Sequence, residues 1–120
     1  MYKVYAVGVM QVDLSRADKF PSDRKSRLWF FFANFEDAEK CVLENQSDIF
    51  EYYYNIALIE EHYVHDPNDP APPEIGVIAK QWWYEAQYPT DEKTGESLPL
   101  IISKIETPQI FRNIVNFWAG

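Results

Sequence analysis

The sequence predicts an α+β fold, in which an antiparallel sheet of about five strands carries two helices packed on one face. Segments rich in Val, Ile and aromatic residues recur along the chain and are typical of strands. Two other stretches place apolar residues at helical spacing. The segments follow in the order ββαβββα. No domain boundary is apparent, so a single α+β domain over residues 1–120 is expected.

The first two strands are predicted at residues 2–12 and 27–33. Residues 2–12 are rich in Val and Tyr and show no polar face at helical spacing. Residues 27–33 contain four consecutive aromatic residues, a composition typical of strands. The intervening residues 13–26 carry charges, Pro21 and serines, which predicts a loop.

A helix is predicted over residues 35–46. Asn34 offers a side-chain N-cap, and Glu36 and Asp37 place negative charge in the first turn, where the helix dipole favours it. The apolar face is formed by Phe35, Ala38, Cys41 and Val42. As the chain's single cysteine, Cys41 excludes an internal disulfide and is expected to be a small buried residue.

The rest of the chain supplies three further strands and a second helix. A strand is predicted at residues 53–63, followed by a loop with four prolines over 64–75. Residues 80–88 and 98–106 are predicted to form a hairpin. A Thr-Pro pair then precedes apolar residues at helical spacing, which predicts a short helix at 108–117.

The charge distribution reverses locally. Nineteen acidic and eleven basic residues give a net charge of -8. Five cations nevertheless lie within twelve positions, just before an aromatic run at 29–32: Arg16, Lys19, Arg24, Lys25 and Arg27. Guanidinium groups match phosphate oxygens, and aromatic faces stack on nucleobases. The pattern predicts a site for a small anionic nucleotide, whereas the acidic remainder should repel a long nucleic acid. The competing interpretation is a solubilising loop.

Two further groups extend this binding hypothesis. Arg112 lies beside Asn113 in the second predicted helix, where a cation favoured by the helix dipole is the alternative interpretation. Trp82 and Trp83 are adjacent on a predicted strand and must face opposite sides of the sheet. One of them is therefore expected to be a stacking platform or a contact between subunits.

Catalytic signatures are weak. There is no P-loop, no G-x-G-x-x-G and no G-x-S-x-G motif. His62 and His65 begin the pattern H-x-x-H-D-x-x-D, which matches no established metal-ligand spacing and is interpreted as a solvated loop. Glu60 and Glu61 are expected to mark where their strand emerges into solvent. We therefore expect a protein that is not an enzyme and that uses no metal or cofactor, although a nucleotide hydrolase using the two histidines is a minor alternative.

Several blocks together resemble a known family. They are RLWFFFANFEDAEKCVLEN, YYNIALIEE, QWWY and the ending PQIFRNIVNF. With these blocks the chain resembles, over roughly residues 1–117, the type-one Thoeris anti-defence "sponges" of phages and prophages. The resemblance implies a protein that captures a cyclic ADP-ribose isomer such as gcADPR without degrading it, and so blocks activation of the Thoeris effector. It also implies a possible separate site for cyclic oligonucleotides.

The resemblance assigns roles to particular residues. Family members bind phosphates with arginines and the base with an aromatic ring, in pockets shared between subunits of dimers or hexamers. The residues that match are Arg24, Arg27 and Arg112 for the phosphates, Asn113 as a polar contact, and Trp82 or Trp83 as the stacking ring.

Other aspects of composition set the expected location and the main alternative. No apolar run approaches the ~20 residues that cross a bilayer, and the N-terminus is interpreted as a strand and not as a secretory signal. A single cysteine fits a reducing cytosol, which would be the host cytoplasm if the protein is phage-encoded. The alternative function is an acidic protein-protein inhibitor or antitoxin-like interaction module, with exposed aromatic residues as interface anchors.

Overall fold

The computed structural model describes residues 2–12, 25–51, 54–64, 68, 80–112 and 118. Within these ranges, five strands form one antiparallel sheet in the order β2-β1-β3-β4-β5. The strands are β1 (Tyr2–Gln11), β2 (Lys25–Phe32), β3 (Ile56–Val64), β4 (Gln81–Gln87) and β5 (Ile101–Ile105). The predicted α+β class and the five-stranded antiparallel sheet agree with this arrangement.

The single α-helix of the described residues, α1, spans Phe35–Leu43 and has the predicted N-cap. The Asn34 side chain accepts a hydrogen bond of 2.9 Å from the backbone N–H of Asp37. Its buried residues are Ala38, Cys41 and Val42, which confirms the predicted apolar face. The helix ends earlier than residue 46 because Asn45 adopts a left-handed conformation, with φ at 48°.

A β-bulge interrupts the pairing of β1 with β2. Val7 lies opposite Phe30, but the next residue of β1, Gly8, lies opposite Leu28, so Trp29 is an extra residue in β2. Trp29 and Phe30 consequently both pack against the core beneath α1, although they are consecutive. The bulge is therefore what allows an uninterrupted aromatic run to place two neighbouring rings on one side of the sheet.

Strand β3 lies at the centre of the sheet and pairs with β1 on one side and β4 on the other. Its residues Ala57, Leu58 and Ile59 are fully buried, as predicted. The strand begins at Ile56 and not at residue 53, and it extends to Val64.

The sheet separates two cores. The core on the helix side includes Val7, Ile59 and Tyr84 together with the buried face of α1. The opposite side, called the far side below, has its own buried cluster. That cluster consists of Met10, Val12, Ile56, Leu58, Trp83 and Phe111, with Ile105 and Trp118 packed against it. Each face of the sheet thus carries a buried cluster.

The second predicted helix is not confirmed. Gln109–Phe111 form a 3-10 turn, in which the N–H of Phe111 donates to the carbonyl of Pro108 at 2.9 Å. Residues 113–117 lie outside the described residues. Phe111 packs on the far side because its ring stacks on Trp83, so the prediction of two helices on one face, and with it the final α of the order ββαβββα, is not confirmed.

A partly buried hydrogen bond joins α1 to the sheet. The Tyr84 hydroxyl, on β4, donates to Oε2 of Glu39 on α1 at 2.6 Å. Burial of the phenol, and then the bond to Glu39, raise the pKa of Tyr84 above its usual value, so the hydroxyl remains a donor at alkaline pH values at which an exposed tyrosine ionises.

We expect Tyr84→Phe to lower the free energy of unfolding by about 1–2 kcal/mol, because it removes a charge-assisted bond but preserves the ring. Urea unfolding followed by circular dichroism measures the change. Tyr63→Phe is the control, since Tyr63 is 54% exposed. Equal stability of Tyr84→Phe and the wild type would show that the bond contributes nothing.

Candidate ligand-binding site

An arginine stacked on an indole stands at the start of β2. The Arg27 guanidinium carbon lies 3.8 Å from the centroid of the Trp29 ring, and Nη1 donates to Oε1 of Glu51 at 2.9 Å. The Arg27 side chain is 49% exposed and that of Glu51 is 30% exposed. The contact with the indole and the bond to Glu51 restrict the guanidinium, while its exposure leaves part of the side chain accessible to solvent.

Hydrogen bonds hold the described residues on either side of the cation-rich segment, residues 13–24. Where the chain leaves β1, the Asn55 side chain accepts from the N–H of Val12 at 2.9 Å and donates to its carbonyl at 2.7 Å. Where the chain returns in β2, Glu51 holds Arg27. Val12 and Arg27, which lie on either side of residues 13–24 in the sequence, therefore bond to Asn55 and Glu51, which are four positions apart. Residues 13–24 themselves lie outside the described residues, and Arg24 with them.

Trp82 packs into an aromatic cluster on the helix side. Its ring lies 4.4 Å from Phe35 and 6.1 Å from Tyr5, measured between centroids. Lys104 is near this cluster, with Nζ 5.8 Å from the Phe35 centroid and 3.8 Å from Oε2 of Glu39. Trp82 is only partly buried. Of the two candidate stacking rings, Trp82 is thus the one that is partly accessible to solvent.

Trp83 has a different environment. It is 1% exposed and lies on the far side, where its ring is stacked on Phe111 at 5.1 Å with planes 6° apart. Because Phe111 already covers one face of Trp83, a base could stack there only after Phe111 moved. Arg112 follows directly and is exposed, and Asn113 lies outside the described residues.

The described site residues do not converge within one chain. Arg27 and Trp82 are on the helix side, whereas Trp83 is on the far side. In the register of the sheet, Arg27 and Trp82 are three strands and two residues apart, which places their Cα atoms at about 16 Å. Arg27 and Trp29 thus contact each other at one place on the sheet, and Trp82 lies in a separate aromatic cluster.

The expectation that Glu60 and Glu61 are solvated is wrong. Glu60 is 0% exposed and Glu61 is 7% exposed. Glu61 accepts from the Tyr5 hydroxyl at 3.1 Å and lies 3.6 Å from Nζ of Lys3. Glu61 in turn raises the pKa of Lys3, and burial, followed by the bond to Glu61, raises that of Tyr5. Carboxylates stay inside the fold here because donors from other strands reach them.

Glu60 is held on the far side by several donors. Gln81 Nε2 donates to Oε2 at 2.8 Å, and the backbone N–H of Trp118 donates to Oε1 at 3.0 Å. Nε2 of His62 lies 2.6 Å from the same Oε1. In the sequence, a hydrophobic run that ends in two glutamates predicted the point where the strand reaches solvent. No signal in the sequence pairs Glu60 with Gln81 or Trp118, which are 21 and 58 positions away.

Of the four His and Asp residues of the H-x-x-H-D-x-x-D pattern, His62 lies among the described residues, and the other three lie outside them. Among the described residues, no three His, Cys, Asp or Glu side chains are grouped closely enough to hold a metal ion. In the same part of the chain, no helix has the length and apolar character needed to cross a membrane.

No protein-family model, curated protein or solved structure matches this chain.

We expect Asn55→Ala to lower the free energy of unfolding by about 1–3 kcal/mol, because both backbone groups of buried Val12 lose their side-chain partner. Urea unfolding measures the loss, and amide hydrogen exchange at Val12 should accelerate. Gln11→Ala, at an exposed neighbouring position, is the control. Unchanged exchange at Val12 would mean that Asn55 does not hold the backbone of Val12.

Proposed function

We propose that this protein captures a compact anionic nucleotide and holds it without breaking it, and that a cyclic ADP-ribose isomer such as gcADPR is the ligand. The observation that carries the proposal is the Arg27 guanidinium stacked on Trp29 in a half-exposed position. Sequestration of such a messenger would prevent a Thoeris-type effector from being activated, as the family resemblance implies.

The chemistry of Arg27 suits a phosphate. A guanidinium carries five N–H donors, and one bond to Glu51 leaves further N–H groups for an incoming anion. A phosphate dianion would also compete with the single, partly exposed Glu51 carboxylate for the same fork. The Trp29 indole restricts the Arg27 side chain before any ligand binds, so Arg27 would lose less conformational entropy on binding.

A pocket shared between two copies is part of the proposal. The Cα atoms of Arg27 and Trp82 are ~16 Å apart in one chain and no contact joins their side chains among the described ones, so we assign the stacking ring to a second copy. Among the described strands, β2 lies at the edge of the sheet, where a second copy can approach Arg27. Arg24, Arg112 and Asn113 remain predicted ligands in this arrangement.

Two exposed apolar residues of β2 favour a second candidate function, since Phe31 is 64% exposed and Leu28 is 39% exposed. Phe31 and Leu28 lie opposite Ala6 and Gly8 and therefore face the far side at the edge of the sheet. With a net charge of -8, this apolar edge suits docking on a basic partner protein, as in an inhibitor or antitoxin-like module.

Calorimetry with purified protein separates the two functions. Titration with cyclic ADP-ribose isomers and with cyclic di- and trinucleotides should give saturable heats if the protein is a messenger trap. The loaded protein is then heat-denatured, and the released ligand is analysed by chromatography. Intact ligand supports capture without chemistry, cleaved ligand indicates a hydrolase, and silence with every nucleotide favours the interaction module.

Arg27→Ala should weaken nucleotide binding by about tenfold or more, because a charge-assisted contact to phosphate is lost. Lys93→Ala is the matched control, since it removes one positive charge from the exposed connector between β4 and β5. Glu51→Gln should have the opposite effect and tighten binding, because it removes the carboxylate that competes for Arg27. Full affinity of Arg27→Ala, or no effect of Glu51→Gln, would contradict the assigned site.

A further inference from the structure

The far side of the sheet contains a seat that fits an indole ring. Gly8 on β1 forms its floor: a Cβ atom at this position would lie 2.3 Å from Cζ2 of Trp118, closer than any real contact. The absence of a side chain at Gly8 is therefore what allows the ring to lie flat against the strand. Beside it, the far-side cluster contributes Met10, Ile56, Leu58 and Trp83.

The seat also contains two acceptors in different positions. Nε1 of Trp118 donates to the carbonyl of Leu58 at 3.3 Å, and its backbone N–H donates to Oε1 of Glu60 at 3.0 Å. Leu58 and Glu60 are both on β3, two residues apart, so their positions are fixed by the centre of the sheet. Glu60 is completely buried and needs donors to remain there.

We propose that this seat is a binding site for a planar fused ring that carries a ring N–H, and that the chain's own Trp118 occupies it in the structure. The seat is built by β1 and β3, whereas the ring comes from a residue near the C-terminus. Removing the ring leaves the glycine floor and the Leu58 acceptor in place. A cavity with apolar walls and one directed acceptor selects flat rings of indole size that can donate.

The experiment uses the full chain with Trp118→Gly and free indole as the probe. Calorimetry should show saturable binding of indole to Trp118→Gly, and none to the wild type at the same concentration, because Trp118 already fills the seat. Benzofuran has the same shape but lacks the N–H donor. It should bind about fivefold more weakly, the factor expected for one neutral hydrogen bond.

Gly8→Ala combined with Trp118→Gly provides the matched control. The added methyl group occupies the floor of the seat, so indole binding should be lost. Should this double variant not fold, nuclear magnetic resonance of Trp118→Gly gives the same information. Indole should then shift the amide resonances of Gly8 and Leu58 and leave those of α1 unchanged.

The site is overturned if indole fails to bind Trp118→Gly, if benzofuran binds equally well, or if the shifts fall elsewhere. Should Trp118→Gly itself not fold, indole added to this variant should restore the folded state, because a ligand that binds only the folded chain stabilises it, and no rescue by indole would equally refute the site. The seat and Arg27 lie on opposite sides of the sheet, so the result is independent of the proposed nucleotide capture.

Discussion

The position of β3 between β1 and β4 is the constraint on which the rest of the molecule depends. Alternate residues of a strand face opposite sides, so one strand supplies Ala57 and Ile59 to the core beneath α1 and Leu58 to the far-side core. The alternation continues into the two glutamates. Glu61 bonds to Tyr5 on one side, while Glu60 bonds to Trp118 on the other. A slip of one residue in register would exchange both cores and both carboxylates at once.

Local signals in the sequence predicted the features that depend on neighbouring residues. The N-cap at Asn34, the apolar face that contains Cys41, and the buried centre of β3 all follow from short-range patterns. The buried state of Glu60 does not, because its donors come from residues 81 and 118, far along the chain. The same limit applies to Gln109–Phe111, where contact of Phe111 with Trp83 decides which side of the sheet the chain follows.

The candidate site shows how a small backbone irregularity changes what side chains can do. In a regular strand, Arg27 and Trp29 would face one side and Phe30 the other. The bulge opposite Val7 and Gly8 adds one residue, so Phe30 lies on the same side as Trp29. The two rings pack against each other, with centroids 5.7 Å apart. The aromatic run and the arginines could be recognised from the sequence. The bulge that places Phe30 beside Trp29, and the pairing of Glu51 with Arg27, could not, since both depend on contacts between residues distant in the chain.

The two sides of the sheet consequently differ in the ligands that they can accept. On the helix side, Arg27 presents N–H donors at a half-exposed position, where an anion can replace or supplement Glu51. On the far side, Oε1 of Glu60 and the Leu58 carbonyl accept hydrogen bonds from Trp118, so the proposed seat suits a ring with an N–H better than an anion. A protein with a net charge of -8 can therefore attract a phosphate only where guanidinium groups reverse the local field. The proposed capture of a nucleotide therefore depends on Arg27 and on the other arginines predicted to bind phosphate, Arg24 and Arg112.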